Sequence, residues 1–165
     1  MSEKSDPDEL PADPIQLGAG IYLDSSALAK LYVPEAESEI LDTFLRGRRD
    51  LMISDLCITE VISAVARRRR EGALEVGQAN QIRDALLSDA NSFRRLDLAP
   101  FIHRAAERML LFTESVPLRT LDALHIALAL SGEATCVVTF DNRLSEAAAL
   151  HGLRVVERED LGTLT

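Results

Sequence analysis

From Gly20 onward the chain alternates short strand-like segments with longer helical patterns, and this alternation constrains the fold more than any other feature. Strands are predicted over residues 21–24, 51–53, 95–98, 136–140 and 154–156. Helices are predicted over residues 26–33, 36–46, 54–70, 74–93, 99–114, 120–130 and 142–151. Such alternation is typical of a parallel sheet with helices on both faces, so the sequence predicts an α/β fold.

The length of 165 residues suits one domain. Residues 1–18 are rich in Pro, Asp and Ser and are predicted to be a disordered acidic leader. The folded domain is expected over residues 19–158, followed by a short tail at 159–165. No apolar stretch approaches the roughly 20 residues that span a bilayer, and the acidic N-terminus is unlike a signal peptide. We therefore expect a cytoplasmic protein with no membrane partner.

The formal net charge of −9 argues against a protein that holds nucleic acid by bulk positive charge. Residues 1–14 carry five acidic side chains and one lysine, so part of this charge belongs to the leader. Where the remaining carboxylates gather in one pocket, they would bind cations.

Two aspartates follow strands that lie far apart in the sequence. Asp24 comes directly after the apolar run at 21–23, and Asp141 comes directly after the strand CVVTF. Ligand sites of parallel sheets lie beyond the carboxyl ends of the strands, so the two carboxylates are expected to share a pocket. The alternative for each is a helix N-cap, a position that Asp and Ser favour.

Two further carboxylates lie in apolar helices, Glu60 in SDLCITEVISAV and Asp122 in TLDALHIALAL. Burying an unpaired carboxylate costs several kcal/mol, and a metal ion is a natural partner that offsets this cost. Mg²⁺ prefers hard oxygen ligands, lowers the pKa of bound water and stabilises charge on a phosphoryl oxygen. The alternatives are a solvated helix edge for Glu60 and a favourable interaction with the helix dipole for Asp122.

Four segments in this order resemble the PIN domain, and within it the VapC-type toxins of bacterial toxin–antitoxin pairs: IYLDSSALAKLYV, ISDLCITEVISAVARR, LRTLDALHIALAL and VVTFDNRLSEAAALHGLRV. The resemblance runs from Ile21 to about Val156. It implies a three-layer α/β/α sandwich with a central, mostly parallel sheet. It also implies a Mg²⁺- or Mn²⁺-dependent endoribonuclease that hydrolyses phosphodiester bonds with metal-activated water.

The same resemblance assigns roles to particular residues. The catalytic and metal-binding acids would be Asp24, Glu60, Asp122 and Asp141. Small hydroxyl residues would support them, with Thr139 near the last acid and Ser25 beside the first.

The resemblance further implies an RNA substrate, a homodimer and a cognate VapB-type antitoxin whose tail enters the acidic groove, often with an Arg or Lys. Arg67 and Arg68 are candidate RNA or antitoxin contacts, although they also suit a solvated helix end. Arg119 is a candidate for contact with RNA or with one of the acids. His125, three residues after Asp122, is interpreted as core or supporting packing rather than as a proton-transfer group.

Three alternatives belong to other classes of protein. A catalytically silent PIN-like scaffold that binds RNA or protein would tend to lose one acid, and all four are present. A phosphatase of the haloacid-dehalogenase type should show DxDx, whereas Asp24 is followed by Ser25 and Ser26. A receiver domain should carry a late lysine, and none follows Lys30. No aromatic platform for base stacking is apparent from the sequence.

Overall fold

The structure, a computed structural model, describes residues 20–162. Five parallel strands form one sheet in the order β3-β2-β1-β4-β5. The strands are β1 (Ile21–Leu23), β2 (Leu51–Ser54), β3 (Arg94–Leu96), β4 (Cys136–Val138) and β5 (Arg154–Val155). The predicted leader at 1–18 and the last residues of the predicted tail lie outside the described residues.

Eight helices accompany the sheet within residues 20–162. They are α1 (Ser25–Lys30), α2 (Ser38–Leu45), α3 (Asp55–Arg70), α4 (Val76–Asp89), α5 (Pro100–Phe112), α6 (Thr120–Ser131), α7 (Asn142–Leu150) and α8 (Arg158–Gly162). In the part of the chain that is described, no helix is both long and apolar enough to cross a membrane.

The strand order determines where the helices lie. Connections between parallel strands are right-handed, so the helices on the path β1→β2→β3 cover one face of the sheet. The chain then reverses direction towards β4 and β5, and α5, α6 and α7 cover the other face. The packing agrees, since α1 contacts α3 and α3 contacts α4, while α5 and α7 both contact α6. The protein is thus the predicted three-layer α/β/α sandwich.

The central strand β1 is fully buried because both of its faces are covered by helices. Ile21, Tyr22 and Leu23 each have no exposed surface, and β1 pairs with β2 on one side and β4 on the other. Strands buried on both faces read as continuous apolar runs rather than alternating ones. This explains why the segment before Asp24 is uniformly apolar.

The structure corrects several predicted boundaries. Helix α1 ends at Lys30, before the predicted limit at residue 33, and α4 ends at Asp89, where a 3₁₀ turn over Ala90–Ser92 follows. The helix predicted from residue 120 does begin there, and its N-cap is Arg119, whose backbone N–H donates a hydrogen bond to the carboxylate of Asp122 at 3.1 Å.

Candidate active site

The candidate site lies where the chain reverses its direction across the sheet. β1 and β4 are neighbours, but the connections that leave them run to opposite sides of the sheet. Such a switch point opens a crevice at the carboxyl ends of the strands. Asp24 follows β1 directly, and Asp141 comes three residues after the end of β4.

Asp24 is 2% exposed and is held by hydrogen bonds on both carboxylate oxygens. Oδ1 accepts from the Ala27 backbone N–H at 2.9 Å, which caps α1, and from the Ser26 hydroxyl at 2.7 Å. Oδ2 accepts from the Thr139 hydroxyl at 2.7 Å. Burial raises the pKa of Asp24, although these hydrogen bonds act in the opposite direction. Asp24 is therefore both a helix cap and a buried carboxylate of the crevice.

Two hydroxyl groups join the ends of β1 and β4. The Ser26 Oγ accepts from the Phe140 backbone N–H at 2.8 Å, and the Thr139 Oγ1 accepts from the Asp141 N–H at 3.1 Å. Since both hydroxyls also donate to Asp24, they set the position of its carboxylate relative to the loop that carries Asp141. The structure thus places Thr139 beside the first acid, and it adds Ser26, which the sequence did not single out.

Glu60 lies on α3 and is held by a buried histidine. Its Oε2 is 2.6 Å from His125 Nε2, and His125 Nδ1 is 2.8 Å from the Tyr22 hydroxyl. Burial acts to raise the pKa of Glu60, but the hydrogen bond and charge of His125 outweigh burial, and a bond from Ser25 adds to them, so this pKa lies below its ordinary value. The predicted supporting residue Ser25 lines the same cavity as Glu60 and Asp24, and its supporting role stays a prediction.

The pKa of His125 is shifted in the opposite direction. Burial acts to lower it, but hydrogen bonds to Cys57 and Glu60 outweigh burial and raise the pKa to about 10. A protonated ring donates from both nitrogens, which here face the Tyr22 hydroxyl and Glu60. The interpretation of His125 as a supporting residue, made from the sequence, agrees with its position between Tyr22 and Glu60.

Asp122 and Asp141 complete the acidic set. Asp122 lies in the first turn of α6, where it is 8% exposed. Burial raises the pKa of Asp122, and the charge of Asp141 raises it further. Asp141 caps α7, since its Oδ1 accepts from the N–H groups of Arg143 at 2.8 Å and Leu144 at 3.3 Å.

The four acids line one cavity of about 390 Å³, although they come from four separate parts of the chain. The other residues lining it are Ser25, Ser26, Arg119, Thr120, Leu121, His125 and Leu144. Arg119 is thus in the acidic cavity. Arg67 and Arg68 line a neighbouring cavity instead, and the Arg68 guanidinium is paired with Glu35 at 2.7 Å.

The oxygen-rich lining suits a hard divalent cation. Over residues 20–162, however, no group of three acidic, His or Cys side chains is arranged to hold one metal ion. The carboxylates are engaged instead by helix N–H groups, hydroxyls and His125. Mg²⁺ usually takes one or two protein carboxylates and keeps several waters, so a hydrated ion fits this set without a closed protein cage. Neutralising the repulsion between Asp122 and Asp141 would favour its binding.

Comparison with known proteins identifies the family of the chain. The profile of the PIN domain family matches residues 21–150. The chain belongs to the PIN domain family. A curated relative, Ribonuclease VapC46 of Mycobacterium tuberculosis, is 37% identical over 145 residues, which cover 84% of this chain and 97% of that protein. The resemblance to PIN domains and VapC-type toxins that the sequence showed is therefore confirmed.

Solved structures show the same fold at low sequence identity. FitAcB from Neisseria gonorrhoeae has a TM-score of 0.66 at 18% identity, covering 84% of this chain and 98% of that one. Mycobacterium tuberculosis VapC20 is described as a toxin that cleaves the sarcin–ricin loop. It has a TM-score of 0.63 at 18% identity, and the match covers 78% of this chain and 95% of VapC20. These two similarities establish the architecture of the PIN domain and not a substrate for this chain.

Proposed function

We propose that this protein is a metal-dependent endoribonuclease and the toxin of a VapBC-type toxin–antitoxin module. One observation carries the proposal: four carboxylates from separate elements line a single cavity at the switch point of the sheet. The 37% identity to Ribonuclease VapC46 over nearly the whole of that protein supports it. The chain as a whole carries a net charge of −9, which does not favour nucleic acid, so a cation in the cavity would be needed to attract a phosphodiester.

In this proposal, Asp24, Glu60, Asp122 and Asp141 hold Mg²⁺ or Mn²⁺ and are the catalytic acids. The bound ion would supply a water of lowered pKa and would neutralise charge on the phosphoryl oxygens. The chain's own groups set the geometry: Ser26 and Thr139 hold the Asp24 carboxylate, and His125 and Ser25 hold that of Glu60. Arg119, at the same cavity, would contact an RNA phosphate.

The proposal also includes partners and a compartment. A VapB-type antitoxin would insert an Arg or Lys of its tail into the acidic cavity, where a cation offsets the same carboxylate repulsion. The toxin would act as a homodimer in the cytoplasm. Its RNA substrate would be selected by contacts beyond the four acids, because those acids recognise the phosphodiester group that every RNA shares.

The test is cleavage of total RNA by the wild type and by Asp24→Asn, each with Mg²⁺, Mn²⁺ or EDTA. Discrete fragments are expected only from the wild type with metal, with a loss of at least about a hundredfold in the variant, the range over which one charge-stabilising group contributes. Asp42→Asn, which removes an exposed carboxylate on α2, is the matched control and should cleave like the wild type. Full activity of Asp24→Asn would contradict the site.

A catalytically silent PIN-like scaffold is the second candidate. The observation that favours it is the absence, over residues 20–162, of three metal-binding side chains already arranged around one point. It predicts no cleavage by the wild type with either metal. Calorimetric titration with Mg²⁺ and Mn²⁺ separates the two candidates, because a silent scaffold would bind neither ion at this cavity.

A further inference from the structure

A second cavity, of about 350 Å³, adjoins the acidic cavity between α1 and α3. The two share Ser25, Ser26 and Glu60, so an occupant of one would lie directly beside an occupant of the other. This volume is near the lower end of the roughly 300–1,000 Å³ of small-molecule sites. It suits one flat heterocycle and is too small for a helix or a strand.

Part of the wall of the second cavity is apolar and includes an aromatic ring. Ala29 and Val33 line it from the α1 side, and Val65 lines it from α3. Phe140 lines it as well, and its backbone N–H is bonded to Ser26 Oγ at 2.8 Å. Phe140 lies between Thr139 and Asp141 in the chain, so its ring belongs to the same loop as two residues of the acidic site. An aromatic wall of this kind is what a nucleobase packs against.

Three charged residues that line the second cavity, Lys30, Glu35 and Arg68, are linked by hydrogen bonds. Lys30 Nζ donates to Glu35 at 2.7 Å and Glu37 at 2.9 Å, and it lies 4.6 Å from the centre of the Phe140 ring. Arg68 bonds Glu35 at 2.7 Å. The charges of these groups are therefore largely compensated, and they form a fixed polar edge with both donors and an acceptor.

Arg67 differs from these neighbours. It is exposed, lines the second cavity, and also lines a groove beside Glu60. Among the ion pairs of residues 20–162, none involves its guanidinium. A planar, unpaired guanidinium at the junction between this partly apolar cavity and an acidic site is suited to a base edge or a phosphate.

We propose that the second cavity binds the base of a nucleotide that flanks the cleaved phosphodiester, with Phe140 as its wall and Arg67 at its edge. The inference rests on the proposed ribonuclease function and adds a specificity subsite to it. An RNA occupant is favoured over a protein side chain because the cavity shares Ser25, Ser26 and Glu60 with the acidic cavity, and its charged lining has three basic side chains against two carboxylates. The subsite would make cleavage depend on a base as well as on the phosphate.

The experiment uses a short RNA containing a mapped cleavage site, and versions in which the nucleotide on either side of the cleaved bond lacks its base. For the wild type, kcat/KM should fall about tenfold or more when the base is missing at one of these positions, the range that one stacked base contributes. Arg67→Gln and Phe140→Leu should lower kcat/KM on the intact RNA. They should have little further effect on the RNA that lacks the base, because both changes remove the same contact.

Arg69→Gln is the matched control, since it removes the same charge from the same helix end at a residue that does not line the cavity. It should retain the wild-type dependence on the base. Thermal unfolding of each variant verifies folding, and Ala64→Leu, which fills the cavity from α3, replaces Phe140→Leu where that variant is unfolded.

Three results would overturn the inference, and each is distinct. Equal cleavage of the intact and base-free RNAs by the wild type would show that no base is bound. A base dependence that survives in both Arg67→Gln and Phe140→Leu would place the base elsewhere and leave the cavity to a protein partner. No cleavage of intact RNA by the wild type with Mg²⁺ or Mn²⁺ would remove the proposed function itself, and the subsite with it.

Discussion

At the scale of single residues, a buried hydroxyl that does not line the cavity is bonded to the histidine that holds Glu60. The Tyr22 OH lies 2.8 Å from Ser54 Oγ and 2.8 Å from His125 Nδ1, and it is 3.2 Å from Cys57 Sγ. His125 in turn binds Glu60. The chain of hydrogen bonds therefore runs from the middle of the central strand to a carboxylate of the site.

We predict that Tyr22→Phe lowers the free energy of unfolding by about 1–3 kcal/mol, because it leaves buried polar partners without a hydrogen bond. Urea unfolding followed by circular dichroism would measure the change. Tyr32→Phe is the matched control, since the Tyr32 hydroxyl makes only a 3.3 Å contact with Asp89 near the surface. That variant should stay within about 0.5 kcal/mol of the wild type. Equal losses in the two variants would contradict the network.

This network could not be predicted from the sequence for a physical reason. Tyr22 lies 32 residues from Ser54 and 103 residues from His125 in the chain, and no local pattern links side chains so far apart. Sequence reasoning could recognise that Tyr22 belongs to a buried strand and that His125 shares a face with Asp122. Which buried atoms meet is decided by the packing of α3 and α6 against β1.

At the scale of elements, Asp141 has two roles that a pair of substitutions can separate. Its side chain caps α7, and it also lines the acidic cavity. Asp141→Ala removes the cap and should cost about 1 kcal/mol of stability, whereas Asp141→Ser keeps a capping oxygen and should cost little. Both variants lose the carboxylate, so both should lose RNA cleavage.

Thermal unfolding and cleavage measured on the same two variants check this prediction. A fully active Asp141→Ser variant would mean that Asp141 matters only as a cap. The two functions that the sequence left as alternatives for this residue are compatible, because one oxygen of the carboxylate accepts both helix N–H groups.

Element types were predicted more accurately than element ends. All five predicted strands exist and lie within two residues of their predicted limits. Seven helices were predicted, and α8 was not, since its five residues are too few to show a periodicity. Helix α1 ends at Lys30, three residues before its predicted limit. The ends of elements depend on caps and tertiary contacts that propensities do not contain.

At the scale of the whole molecule, the location of the site follows from the strand order. The alternation of elements predicted a parallel sheet, and the fold and family expectations are confirmed. The order β3-β2-β1-β4-β5 was not predictable from periodicity, because it depends on where the chain reverses. Once this order is known, Asp24 and Asp141 must lie at neighbouring strand ends, and the cavity joins them to Glu60 and Asp122. Their roles as metal ligands remain a prediction.

The metal prediction can be tested on the stability of the whole protein. A ligand that binds only the folded state stabilises it by about 2.7 kcal/mol at a hundredfold excess over its Kd, and each kcal/mol raises the Tm of a chain this long by about 2–4 °C. Millimolar Mg²⁺ or Mn²⁺ should therefore raise the wild-type Tm by several degrees, and EDTA should reverse the shift. Sodium chloride of equal ionic strength controls for screening of surface charge.

The order of stability of the wild type and Asp24→Asn should reverse when metal is added. Without metal the variant should be as stable as the wild type or more stable, because it removes a charge that is costly to bury, while an amide oxygen can still cap α1. With metal the wild type should become the more stable protein, since the variant lacks one ligand. Asp42→Asn should follow the wild type in both buffers. If the Tm values of wild type and Asp24→Asn keep the same order with and without metal, Asp24 does not hold a metal ion in this fold.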